Sequence, residues 1–168
     1  MKQEFTLRNY RKGDEMSLQK NINDRNIYRF TSKIPYPYTI TDAKKWVESF
    51  VKFEKKKDKK SYKLAIDING GVAGGVGFDP IEGHKAEIGY WLARRYWNNG
   101  IMTKAVGIFT KFGFGKLKLK RITAHVFSKN IASVIVLEKN GYKFEGILRK
   151  HELKDGKYFD SLLYAKVR

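Results

Sequence analysis

The stretch from 85 to 116 constrains this chain most. KAEIGYWL is a strand-like run, RRYWNNG is a loop ending on a glycine, and IMTKAVGIFTKFGFGK carries Ile101, Ala105, Ile108, Phe109 and Phe112 at helical spacing. A strand that passes through such a loop into a helix commits the chain to mixed α/β architecture. It also leaves several N–H groups at the helix start without backbone partners. The helix dipole adds roughly half a positive charge there, and Arg94 and Arg95 stand beside it, so a pyrophosphate is a natural ligand. Gly100 either lets a phosphate approach the backbone or supplies a positive φ angle, which such a turn also needs for purely structural reasons.

The rest of the chain alternates in the same manner, with no internal repeat and no long linker. EFTLRNY (4–10) reads as a first strand, and a helix follows over 14–23. A second helix spans 41–57, with Thr41 as its cap and Ala43, Trp46, Val47 and Phe50 as its apolar stripe. Between these helices lies the aromatic, proline-punctuated RNIYRFTSKIPYPYT. SYKLAIDI, the turn NGG and VAGGVGFD form a hairpin. RITAHVF (121–127) is a fifth strand, after KAEIGYWL as the fourth. A short helix over 131–139 has Asn130 as cap and Gly141 just past its end. YKFEGILRKHEL, the DG turn at Asp155 and Gly156, and KYFDSLLYAKV close the chain as another hairpin. The basic run KFEKKKDKK (52–60) is expected to be a solvated helix end.

Size and charge exclude several classes. The 168 residues fit one domain spanning 1–168. With no cysteine, disulfides and thiolate metal sites are excluded, and no metal is expected. The first thirty residues carry no apolar core of a signal peptide, and no window approaches 18 apolar residues, so the expectation is a soluble cytoplasmic protein away from membranes. A formal net charge of +18 points to anionic partners, or else reflects a basic solvated surface.

Three blocks in order, PYPYTITDAKKW, AEIGYWLARRYWNNGIMTKA and NIASVIVLEKNGYKFEG, resemble the GNAT superfamily of acetyl-coenzyme A dependent N-acetyltransferases. The resemblance covers nearly the whole chain and is nearest to the branch of ribosomal-protein N-terminal alanine acetyltransferases. It implies a mixed, mostly antiparallel central sheet with a splayed parallel strand pair and about four helices. The superfamily's pyrophosphate signature is Gln or Arg, two residues, Gly, one residue, then Gly or Ala. Here Arg95, Asn98 and Gly100 fall at those places, with Asn98 replacing the first glycine. Lys104 stands where that branch often has Glu.

By resemblance, acetyl-coenzyme A is the co-substrate and an amine attacks its thioester directly. The backbone of Trp91, Leu92 and Ala93 would pair with the pantetheine arm. The backbone of Arg95, Asn98, Asn99, Gly100, Ile101, Met102 and Thr103 would hold the pyrophosphate. Asn130, Ser133 and Leu137 share one face of the short helix and would look at the arm and sulfur. Many members place at the position of Leu137 a tyrosine that protonates the departing thiolate, which leaves Ser133 as the nearest hydroxyl, or else a simple helix-start serine. For a base, the fifth strand alternates Thr123, His125 and Phe127 against Ile122, Ala124 and Val126. His125 is a candidate, and Glu87 in the fourth strand is its rival, since a carboxylate in a central strand needs a partner or a task. His84 and His151 read as loop and hairpin residues.

The amine narrows the acceptor. An α-amino group with a pKa near 7.8 costs about 1 kcal/mol to deprotonate at pH 7, and a lysine near 10.4 costs about 4.6 kcal/mol. A protein or peptide N-terminus is therefore the expected acceptor. The groove for it is expected between residues 27–38 and 150–158. The alternatives are a small amine, namely a polyamine, an aminoglycoside or an amino acid, and a nucleic-acid binding module. The last is suggested by the charge and by Tyr28, Phe30, Tyr36 and Tyr38 among Arg25, Arg29 and Lys33. An enzyme acting on ribosomal proteins would also gain from attraction to RNA. Monomer and homodimer both remain open.

Overall fold

A computed structural model describes residues 4–53 and 60–168 of the chain. The solvated helix end expected at 52–60 falls largely outside them. The elements in order are β1 (Thr6–Arg8), α1 (Glu15–Ile22), α2 (Arg25–Tyr28), α3 (Ile40–Phe53), β2 (Tyr62–Ile68), β3 (Gly71–Glu82) and β4 (Lys85–Leu92). After a 3-10 turn at Arg94–Tyr96 come α4 (Ile101–Gly115), β5 (Arg121–Phe127), α5 (Ile131–Lys139), β6 (Lys143–Lys154) and β7 (Lys157–Val167).

Seven strands form one sheet in the order β1-β2-β3-β4-β5-β7-β6. Each neighbouring pair is antiparallel except β4 and β5. Those two are joined through α4, as a parallel pair requires a crossover. Their register is Lys85↔Arg121, Ala86↔Ile122 and Glu87↔Thr123, after which the two strands part. β4 continues along β3 as far as Leu92↔Gly74, and β5 continues along β7 as far as Phe127↔Ser161. The sheet is thus split at its centre, and the split begins just beyond Glu87.

Helices cover both faces. On one, Ile88, Ile122, Ala124 and Val126 pack with Ile101, Ala105 and Phe109 of α4 and Leu137 of α5. On the other, Val72 and Trp91 pack with Leu18, Ile27, Ala43 and Val47 of the first three helices. The hairpin turns follow from their residues: Asn69 and Gly70 have φ of 54° and 81°, and Asp155 and Gly156 have 49° and 71°. At the sheet edge Arg8 bridges Asp14 at 2.8 Å and Asp67 at 2.6 Å, tying β1 to α1 and β2.

Several expectations need correction. The first strand is three residues long, inside the seven expected. Thr39 caps α3 in place of Thr41: its hydroxyl accepts from the Asp42 N–H at 3.2 Å, and the Asp42 carboxylate accepts from the Thr39 N–H at 2.8 Å. This reciprocal box requires an acidic residue three positions on, which Thr39 has and Thr41 lacks. Ile108 is 53% exposed because the sheet covers a narrower stripe of α4 than its apolar pattern offers. The short α2, capped by Asp24, raises the helix count among the described residues to five.

Candidate active site

The loop after β4 is shaped by two left-handed residues, Asn98 at φ 60° and Gly100 at φ 71°. Asparagine is the residue that tolerates this region best after glycine, so Asn98 does the conformational work of the glycine it replaces. The Trp97 indole donates to the Leu92 carbonyl at 2.7 Å and pins the loop to the strand end. No side chain caps α4, and its first helical bond from the loop is Lys104 N–H to Gly100 O at 3.1 Å. The N–H groups of Ile101, Met102 and Thr103 therefore open toward the loop, as an anion site needs. Arg95 lies 4.9 Å over the Tyr96 ring, and Arg94 and Arg95 are exposed.

Beside this loop the end of β4 has one edge paired and one free of ladder partners. Trp91 and Leu92 pair with Gly75 and Gly74, and the Ala93 N–H bonds Ala73 O at 2.8 Å, while β5 has already diverged. α5 faces that gap. Asn130 caps it by accepting from the Ser133 N–H at 3.2 Å, and the Ser133 hydroxyl lies 2.8 Å from the Tyr90 hydroxyl. Tyr90, which the sequence did not single out, also donates to the Ser133 carbonyl at 3.3 Å. Burial raises its pKa, so it keeps its proton at neutral pH. Leu137 does not join Asn130 and Ser133 at the gap: it is fully buried in the core below.

A cleft of about 240 Å³ passes through the split in the sheet. Strand alternation turns Tyr90 toward α5, whose start carries Asn130 and Ser133, and puts Glu87 and His125 on the opposite face, toward the first three helices. His125 Nδ1 lies 3.2 Å from Glu87 Oε2. The two rival bases are therefore one pair, standing where the strands separate. The hydrogen bond to Glu87 raises the His125 pKa, burial opposes it, and the charges of Glu87 and Glu152 add to the rise. The His151 ring of β6 lies 5.1 Å from that of His125, while His84 sits in the β3–β4 turn.

Over this face the segment after α2 is clasped to the last hairpin. Tyr28 donates to Asp155 at 2.5 Å, Ser32 to Glu152 at 2.6 Å, and the Lys154 ammonium to the Thr31 carbonyl at 2.5 Å. Lys154 also sits 3.5 Å over the Tyr28 ring. The two regions expected to flank the site thus meet, and Phe30, Thr31, Ser32, Lys33 and Ile34 line the cleft. Farther in, Tyr10, Trp46 and Lys63 complete the wall. Sequence reasoning took Trp46 only as core and did not reach Tyr10 or Lys63, because their meeting depends on long-range pairing. Among the described residues no group of three or more His, Cys, Asp or Glu could hold a metal, and no helix is long and apolar enough to cross a membrane.

Comparison with known proteins agrees with this geometry. The family described as Acetyltransferase (GNAT) domain matches residues 4–143. The uncharacterized N-acetyltransferase YoaA of Bacillus subtilis (strain 168) is 34% identical over 99 residues, which cover 58% of this chain and 56% of that protein. The L-amino acid N-acetyltransferase AaaT of Escherichia coli (strain K12) is 25% identical over 170 residues, covering 98% of this chain and 99% of that protein. Among solved structures, the ribosomal alpha-N-protein acetyltransferase RimL in complex with coenzyme A has the same fold, with a TM-score of 0.87 at 22% identity over 97% of this chain and 93% of that one. Because the family match runs through the split sheet, the loop and α5 together, this chain belongs to the GNAT acetyltransferase family.

Proposed function

We propose that the chain moves an acetyl group from acetyl-coenzyme A to the N-terminal α-amine of a protein or peptide, such as a ribosomal protein. The observation that carries this reading is the His125–Glu87 pair, 3.2 Å apart at the mouth of the split. The thioester supplies an activated acetyl carbon. Its pyrophosphate would rest on the N–H groups from Arg95 to Thr103, with Asn98, Asn99 and Gly100 shaping the turn and Ile101 and Met102 opening α4. Its pantetheine would run along the free edge of Trp91, Leu92 and Ala93, past Asn130.

The amine nitrogen attacks the carbonyl carbon, a C–N bond forms, and the C–S bond breaks. The amine proton passes to His125, directly or through water, and Glu87 stabilises the imidazolium that results. The departing thiolate takes a proton from water relayed through the Ser133 hydroxyl, which Tyr90 backs, and His125 returns the amine proton to solvent, so both groups are restored. Raising the His125 pKa makes the neutral imidazole a stronger base. That strength matches an α-amine, which costs about 1 kcal/mol to deprotonate at pH 7, better than a lysine at about 4.6 kcal/mol.

The likeness to AaaT, over nearly the full length of both chains, supports a second reading in which the acceptor is a free amino acid. A polyamine is disfavoured by the flanking charge: Asp79 and Glu87 balance Lys63 and Lys33 within the cleft, but Arg149, Lys150, Lys154 and Lys157 flank it beside only Glu152 and Asp155. Both the donor and a ribosomal acceptor would be met in the cytoplasm. The test is acetyl-coenzyme A consumption against N-terminal peptides, free amino acids, polyamines and aminoglycosides. Peptides with Ala or Ser first should give the highest kcat/KM, and spermidine exceeding them by more than tenfold would refute the assignment.

A further inference from the structure

Deep in the acceptor side of the cleft, an indole N–H and an ammonium stand together in the wall, at Trp46 and Lys63. Among the described residues, Trp46 Nε1 is a buried side-chain polar atom with no hydrogen-bond partner. Its ring stands edge-on to that of Tyr10, with centroids 6.1 Å apart, and the Tyr10 hydroxyl is close enough to feel the indole N–H without a full hydrogen bond. A buried donor left unmade costs on the order of 1–3 kcal/mol, so its retention in a cleft wall calls for a reason. The Lys63 ammonium stands 5.0 Å over the Trp46 ring and 2.6 Å from Asp79. An ammonium has three N–H groups, and Asp79 accepts from one of them.

β3 is cut back to seat these groups. A Cβ on Gly77 would come within 2.5 Å of Lys63 Cγ, and one on Gly75 within 2.6 Å of the Tyr10 oxygen and 2.7 Å of Trp91 Nε1. Lys63 therefore lies flat across the strand, and the Tyr10 hydroxyl and the Trp91 indole fit beside it. Indole N–H and ammonium groups donate and cannot accept. Asp79 is already balanced by Lys63, and the other carboxylate of the lining, Glu87, is held by His125 at the far end. An oxygen anion would satisfy both Trp46 and Lys63, which an ammonium ligand could not do.

We propose that Trp46 Nε1 and Lys63 Nζ form a carboxylate-binding subsite for the acceptor, with its reacting amine at the His125–Glu87 pair. The assignment rests on the acceptor reading given above. The carboxylate has two sources: the α-carboxylate of a free amino acid, or an acidic side chain following the N-terminus of a peptide. Two isosteric pairs separate them, serine against serinamide, and a short Ser-Glu peptide against its Ser-Gln counterpart with an amidated C-terminus.

Turnover with acetyl-coenzyme A and calorimetric binding to the coenzyme A-loaded full chain should be measured for all four. In at least one pair the acid should be favoured at least tenfold in both readouts, and that pair names the source. The preference should fall to within twofold in Trp46→Phe, which keeps the ring and loses the donor, and in Lys63→Met. Equal binding within both pairs, or a preference that survives in both variants, would overturn the subsite. Preferential binding of an acid with no acetylation of any acceptor would leave the subsite standing and refute the acceptor reading. Acetylation without preference would do the reverse.

Discussion

The two ends of the cleft are assembled in different ways. At the α4–α5 end most contacts are local: Asn130 caps its own helix three residues on, and Trp97 bonds Leu92 five residues back. At the end facing the first three helices they span the chain. Glu87 meets His125, Tyr28 meets Asp155 across 127 positions, and Lys154 meets Thr31 across 123. In the proposed reading the local end holds phosphate and thioester, and it is built from a turn and one side-chain cap. The distant end, where the proposed function puts the choice of amine, exists only once the sheet has closed.

The comparison can be broken most readily at the distant end. His125→Ala should lower kcat/KM by about 10²- to 10⁴-fold, the usual loss for a general base, with calorimetric affinity for coenzyme A unchanged. A loss of both together would mean that the two ends are not separable. Next in size is Gly100→Val. A Cβ there meets nothing within 4 Å, so the protein should fold, yet a β-branched residue at φ 71° strains the loop. Coenzyme A affinity should fall at least tenfold, about 1.4 kcal/mol or more, and calorimetry should show binding of an acceptor peptide untouched.

Smaller effects sharpen the boundary. Tyr90→Phe removes the partner 2.8 Å from the Ser133 hydroxyl, a hydrogen bond worth about 1 kcal/mol, so kcat should drop roughly fivefold. KM for the acceptor should hold, and a pure KM effect would place Tyr90 in binding instead. Smallest is Ser32→Ala, which cuts one exposed strand of the clasp to Glu152. Acceptor KM should rise a few-fold while KM for acetyl-coenzyme A stays constant.

The same division decides what the sequence could reveal. NG and DG turns, the RRYWNNG loop, the Asn130 cap and the exact spans of β4 and β5 are written in residues that act on their neighbours, and they stand where they were expected. The partnership of Glu87 and His125 was not legible. It depends on a parallel register of three residues followed by divergence, and strand pairing leaves no mark in either segment alone. Tyr90 was hidden for the same reason, since its partner is 43 positions away. Thr41 was preferred over Thr39 as a cap because its acidic neighbour, Asp42, was not read as half of a box. Trp46 looked like one more member of an apolar stripe, and nothing in the stripe told that its nitrogen would be buried without a partner beside a cleft.

The central claim is that His125 and Glu87 act as one base, and the pH dependence of kcat/KM tests it most directly. Glu87 raises the His125 pKa above its ordinary 6.5, and the base is active only when deprotonated. Activity should therefore fall as pH drops through that raised value. In Glu87→Gln the largest cause of the rise is gone, so the acidic limb should move to lower pH while the maximal rate declines. In His125→Ala the only acidic limb left should be that of the acceptor α-amine; an acidic limb at the same pH in the wild-type protein and Glu87→Gln would contradict the account.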